Sequence, residues 1–208
     1  QSVSTPLIGM GQPGLTYFEP AYVDELEVIM RWGFEHMQLA EGGSVYLRLS
    51  TRAFDQPTRE MTENLGGSII SGGYWKMPPE PGAELAIVYC GAVAPEADSA
   101  YQQLREDMPN LGLLSITSPD RLHANWLDVK KMRRRQVSSA ISEIEYLLRD
   151  LAPAASLITV IDGHPATLSW LGAVAGHRIY PLGVEQFGQS GDIHDLYRHY
   201  GIDTDAIL

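Results

Sequence analysis

Cysteine is almost missing from this sequence. Cys90 is the only one in 208 residues, which excludes an intrachain disulfide and any multi-cysteine metal site. Positive charge is scarce too: 15 Lys and Arg stand against 26 Asp and Glu, for a net charge of −11. A surface of that sign repels phosphate backbones and excludes broad nucleic-acid binding. No apolar run approaches the roughly 20 residues that span a bilayer. The opening "QSVSTPLIGMGQPG" has neither the basic start nor the apolar centre of a secretory signal. These absences point to a cytoplasmic protein. A chain that opens on Gln1 rather than methionine reads as processed, or cut from something longer. What is present, 44% hydrophobic and 20% charged residues, suits a folded protein of one large domain or two small ones.

Periodicity divides the chain. "LTYFE" (15 to 19) reads as a short strand, and Pro20 sits where helices accept proline. Tyr22, Leu26, Ile29, Met30, Phe34 and Met37 then recur at three- and four-residue steps, an amphipathic helix of about five turns ended by Gly42-Gly43. "SVYLRLST" (44 to 51) alternates as a strand. Residues 52 to 82 are looser, with a short strand at "GSIISGGYW" (67 to 75) and a linker at "KMPPEPG" (76 to 82). Beyond it, strands at 83–91, 111–119, 156–163 and 178–184 alternate with helices at 94–108, 121–151, 166–176 and 192–201. That alternation predicts an α/β layered, mostly parallel sheet.

Two glycine motifs invite a ligand. "GMGQPG" (9 to 14) has dinucleotide spacing, but the mechanism needs a helix to open there, and Pro13-Gly14 leads into a strand instead. It reads as an ordinary glycine loop. "FGQSGD" (187 to 192) is neither a nucleophile elbow nor a Walker loop, because its glycines are misplaced and its lysine is missing. Ser190 or Asp192 is expected to cap the following helix. His194 and His199 are five apart and share no ligand-bearing face; His36, His123, His164 and His177 are scattered and read as structural or solvent-facing. The basic run "KKMRRR" (130 to 135) spreads around its helix and reads as a solvated or acid-facing segment. Cys90 ends a buried strand and reads as core.

From residue 83 onward the chain resembles the C-terminal domain of the transketolase family. The carriers are "TVIDGHPATLSWLGAVAG" and "RIYPLGVEQFGQSGDIHDLYRHYGIDTDAI". "YFEPAYVDELEVIMRWGFEHM" followed by "SVYLRLSTR" looks like the second half of the pyrimidine-binding domain of these thiamine diphosphate enzymes. "EPAYVDELEVIM" and "GGYWKM" bring it nearest to the homodimeric, decarboxylating first component of bacterial pyruvate dehydrogenase complexes.

The resemblance implies a three-layer α/β/α transketolase C-terminal-like domain over 77–208, preceded by half of a pyrimidine-binding domain over 1–76. Residues 83–208 would hold about five strands with one reversed edge strand. The parent activity implied is an oxidoreductase reaction: thiamine-dependent decarboxylation of pyruvate or another 2-oxo acid, with transfer to a lipoyl-bearing acyltransferase component. A transketolase, or a non-catalytic scaffold, is the alternative. The family's G-D-G motif with its magnesium asparagines has no counterpart, since Gly191-Asp192 runs into Ile193 and no asparagine follows Asn125. Thiamine diphosphate and magnesium are therefore implied for the parent enzyme only, and the resemblance assigns this chain no catalytic, cofactor-binding or metal residue. Its role would be structural and dimer-forming. Arg52 alone gets a substrate-binding role, as the match to an arginine that meets sugar phosphate in transketolases; an exposed loop arginine is the other reading.

Overall fold

A computed structural model describes residues 3–135 and 139–208. Its centre is a five-stranded sheet in the order β3 (Gly73–Met77), β5 (Gly112–Ile116), β4 (Ala83–Cys90), β6 (Leu151–Ile161), β7 (Arg178–Leu182). Four strands are parallel, and β3 runs antiparallel to β5. One face packs on α5 (Pro119–Arg134), α6 (Glu143–Leu148), α7 (Ala166–Ser169) and α8 (Gly172–Ala175), through Leu122, Trp126, Ile144, Leu148, Leu168 and Leu171. The other packs on α4 (Ala94–Leu104), α9 (Ile193–Tyr200) and α10 (Thr204–Ile207), through Ala97, Tyr101, Tyr197, Ile202 and Ile207. This is the three-layer α/β/α arrangement, with both faces covered as parallel sheets require.

The reversed edge strand lies elsewhere than expected. Residues 83–208 supply four strands of the sheet, and the reversed one, β3, precedes the proline-rich segment. A division after residue 76 therefore falls inside a strand. The stretch 67–75 also differs from its expected form. Thr62 caps α3 (Glu63–Ser71) by accepting from Leu65 N at 3.2 Å, and Gly72 at φ +119° closes it. Ile69 and Ile70 are β-branched, but the two caps outweigh that preference and "GSII" is helical.

A second, two-stranded parallel sheet pairs β1 (Leu15–Phe18) with β2 (Ser44–Leu47). It is covered by α2 (Val23–His36) and α3 around a small core of Phe18, Ile29, Ile69 and Tyr74. The first turn of α2 is fixed by Glu25, which is fully buried and accepts from Ala21 N at 2.7 Å and Tyr22 N at 3.1 Å. A short α1 (Thr5–Gly11), absent from the sequence reading, ends within "GMGQPG".

The expected long helix over 121–151 is two helices. Ser142 begins α6 as a fresh N-cap with Glu145 reaching back to its N–H at 2.9 Å; residues 136–138 lie outside the described ones. Within the basic run, Arg133 pairs with Glu145 at 2.6 Å and Lys131 with Asp128 at 2.9 Å, so part of it faces acid as the bland reading held. Among the described residues no helix is long and apolar enough to cross a membrane.

Asp192, not Ser190, caps α9: its Oδ1 accepts from His194 N at 3.0 Å. Asp192→Ala should therefore lower unfolding free energy by about 1 kcal/mol. Ser190→Ala should change it by less than about 0.5 kcal/mol. Urea denaturation of the two variants checks this, and equal losses would return the cap to the serine.

Candidate functional site

In an open α/β sheet the natural ligand site is the crevice beyond the carboxyl ends of the strands, where the strand order reverses. Here β5 lies on one side of β4 and β6 on the other, so the crevice opens beyond Cys90 and Ile161. The next residues in the chain are Gly91 and Asp162. The small sheet points its own carboxyl ends at the same place: Glu19 follows β1 and Arg48 follows β2. The two sheets are joined there by main chain, with Glu19 N donating to Thr117 O at 2.8 Å.

Arg48 is the hub. It forms an ion pair with Glu19 and donates to the backbone carbonyl of Asp162 at 2.5 Å. The Tyr17 hydroxyl donates to the other oxygen of Glu19, and the Tyr197 hydroxyl donates to Asp162 Oδ2 at 3.1 Å. Glu19 is only 3% exposed and lies against Gly91. Any side chain at 91 would meet the Glu19 Cγ at 2.6 Å, and the backbone there has φ +69°, so both space and conformation demand glycine.

Burial pushes the Glu19 carboxyl up to about 7, although Arg48 and the Tyr17 hydroxyl both favour its charged form. Burial also works against the charge on Arg48, yet Glu19, Tyr17 and Asp162 together hold it above its ordinary value. Burial and Glu19 push the Tyr17 phenol far up, so it remains a donor. The cluster can thus hold or release one proton near neutrality. Two small cavities flank it, about 260 Å³ beside Ser50, Thr51 and Ala92, and about 250 Å³ beside Gln189, Tyr197 and Tyr200. Both are below the usual lower bound of about 300 Å³ for ligand pockets.

Arg52 lies on the flank of this cluster and not in an exposed loop. Its guanidinium grips Glu96 with two bonds of 2.7 and 2.6 Å, donates to Ala92 O at 3.0 Å and lies 5.0 Å from the Tyr197 ring centre. Both partners are largely buried. Cys90 is fully buried, and burial pushes its thiol well above the ordinary range. The histidines do not converge: among the described residues no three His, Cys, Asp or Glu side chains are grouped to hold a metal. His36 stacks on Trp32 and accepts from Gly43 N at 3.0 Å, while His123 packs between Trp126 and Trp170.

Glu19, Arg48 and Asp162 were not singled out from the sequence. The available signal was an ionisable residue directly after each of three parallel strands, a position that always faces the crevice.

No protein-family profile and no curated protein matches this sequence. Solved structures do. A transketolase mutant (R525L) from Pichia stipitis overlays with a TM-score of 0.68 at 18% identity, covering 100% of this chain and 26% of that one. Transketolase from Leishmania mexicana gives 0.66 at 15%, covering 100% and 26%. A split-gene transketolase, described as an inactive β4 tetramer, gives 0.63 at 16%, covering 100% and 59%. The chain has the fold of the C-terminal part of transketolases and spans 26% of the length of the first two.

The pH dependence follows from Glu19. Its folded-state value of about 7 exceeds the ordinary 4.5, so the protonated carboxyl is the form that folding favours. The associated stability is full below pH 4.5 and is lost as pH rises through 7, a change of about 3 kcal/mol. A ¹³C titration should place the Glu19 carboxyl midpoint near neutrality, and Arg48→Met should raise it further. A midpoint near 4.5 would show that Arg48 outweighs burial.

Proposed function

We propose that this chain is the C-terminal part of a thiamine diphosphate-dependent, cytoplasmic 2-oxo acid dehydrogenase component, with pyruvate as the substrate. In that enzyme the residues that precede β3 complete a pyrimidine-binding domain and the remainder forms the C-terminal domain. The chain's own contribution is structural. The observation that carries this reading is the overlay of the whole chain on the C-terminal quarter of thiamine enzymes of the transketolase type, joined to the phrase "EPAYVDELEVIM".

The chain's residues do not fit the cofactor themselves. Asp192, in the only Gly-Asp step near the chain's end, spends its carboxylate on the cap of α9. The crevice that would take a ligand is closed by Glu19 and Arg48.

Arg52 favours a 2-oxo acid over a sugar phosphate. A phosphate subsite needs a guanidinium with free donors, and this one has committed its fork to Glu96. The transketolase reading is supported by the three solved structures named above, which are transketolases. A homodimer is supported by α2, which leaves Met30 and Phe34 exposed on a helix flanking the two-stranded sheet. The inactive β4 tetramer formed by the split-gene relative gives a precedent for self-association of such a part. An acyltransferase carrying lipoyl groups is the further partner that a pyruvate reaction requires.

The test joins this chain to the preceding part of its enzyme and measures two reactions. Turnover of pyruvate with an artificial electron acceptor is expected, with Arg52→Ala changing KM for pyruvate by less than about twofold. Two-carbon transfer between sugar phosphates, with a KM that Arg52→Ala raises sharply, would establish the transketolase reading instead. The chain alone should show no saturable binding of thiamine diphosphate with magnesium by calorimetry.

A further inference from the structure

Arginines that this chain withdraws from water have carboxylates: Arg48 has Glu19, Arg52 has Glu96 and Arg59 has Asp24. Arg121 is the exception among the described residues. It is half-buried in the first turn of α5, its guanidinium carbon 4.7 Å from the Trp32 ring centre and 6.0 Å from that of Phe18. Its Nε is buried without a hydrogen-bond partner, while its terminal nitrogens donate to no described group and stay open to solvent. Burial pulls its pKa below the ordinary value, with only the adjacent Asp120 opposing. Asp120 is itself engaged, accepting from Tyr17 N at 3.1 Å. A partly desolvated guanidinium with a buried N–H and no acceptor is costly, and the same chain gives a carboxylate to the guanidinium at three other sites.

Arg121 shares a helix face with Ala124, Asn125 and Asp128, at the spacing of neighbours on one side of a helix. That face forms one wall of a cleft of about 720 Å³ at the amino ends of β1 and β2, the opposite ends from Arg48. The facing wall is backbone-rich, made by the turn Gly11–Gly14 and by Gly42-Gly43. His36, Ser71, Asp120, Glu41 and Glu143 also line it, and Glu41 and Glu143 are exposed and outside every ion pair among the described residues.

We propose that this cleft binds a small zwitterion of the amino-acid class, its carboxylate on the Arg121 fork and its cationic group toward Glu41 and Glu143. The unspent planar donors match a carboxylate in two-bond geometry. The two free acids, on a chain of net charge −11, disfavour phosphate and other ligands that are only negative. A plain monocarboxylate would meet Arg121 but gain nothing from the two acids. The volume lies within the usual range for small-molecule sites.

The test titrates the 208-residue chain with glycine, 4-aminobutyrate, L-arginine, acetate and inorganic phosphate. Calorimetry gives the affinities, and NMR follows the Trp32 indole and the Arg121 Nε–H. At least one zwitterion should bind saturably and at least about tenfold tighter than acetate or phosphate, moving both signals. Arg121→Met should abolish that binding. Should Arg121→Met fail to fold, Glu41→Gln with Glu143→Gln, at exposed positions, should bring the zwitterion down to the affinity of acetate. The proposal is overturned if no zwitterion saturates, if phosphate binds tightest, or if either variant leaves zwitterion affinity unchanged. Because the chain is assayed alone, these outcomes do not depend on the thiamine-enzyme reading.

Discussion

The fold turns on one guanidinium. Arg48, leaving the end of β2, reaches Glu19 at the end of β1 and the backbone of Asp162 at the end of β6, and so ties the two sheets together at their carboxyl ends. A buried ion pair is a poor source of net stability, because desolvation consumes most of the Coulombic gain. Its effect here is geometric. Apolar residues in the same place would tolerate sliding of one sheet against the other. A guanidinium that must meet a carboxylate and a carbonyl at once tolerates very little.

Other features follow from that joint. Gly91 must lack a side chain because Glu19 occupies the space beside it, and the chain leaves β4 with positive φ there. Ser118 both caps α5, accepting from Arg121 N, and donates to Tyr17 O, so the helix start is registered on β1. A second polar joint works at the outer edge. Glu25 takes the Tyr74 hydroxyl at 2.6 Å, and Arg59 bridges Asp24 and that same hydroxyl, which fastens α2 to β3. The antiparallel edge strand is thereby held by the part of the chain that precedes it as well as by β5. This is why a boundary drawn at the prolines misses it.

The sequence made the large periodic elements legible and left the joints obscure. Strands β4, β5, β6 and β7 and helices α2 and α4 were visible because burial on both faces or on one stripe writes a period into the residues. α3 was misread because Ile69 and Ile70 carry β propensity, whereas its two ends are set by Thr62 and Gly72. α1 and α10 are each under eight residues, too short for a period to show. The split between α5 and α6 hinges on Ser142 and Glu145, a capping pair embedded in a run that otherwise favours helix. Arg52 was singled out by resemblance as an arginine near substrate. Only its position in space reveals Glu96, 44 residues away, as the group that occupies it. Pairings over that separation leave no local pattern, and the same holds for Glu19 with Arg48 and for Arg48 with Asp162.

The closed crevice limits where this chain can take a ligand. A doubly wound sheet ordinarily offers its switch point to a ligand, yet here the chain's own first segment fills that point with a paired carboxylate and guanidinium. Any ligand there would have to displace a fully engaged ion pair and leave Glu19 or Arg48 buried without its partner, a cost of several kcal/mol. A ligand therefore has to find other surfaces. Two surfaces that stay open are the exposed apolar side of α2 and the cleft of Arg121, which lies where α5 faces the segments Gly11–Gly14 and Glu41–Gly43. The five-stranded half supplies rigidity. The two-stranded half, held to it by Arg48, supplies α2 and one wall of that cleft.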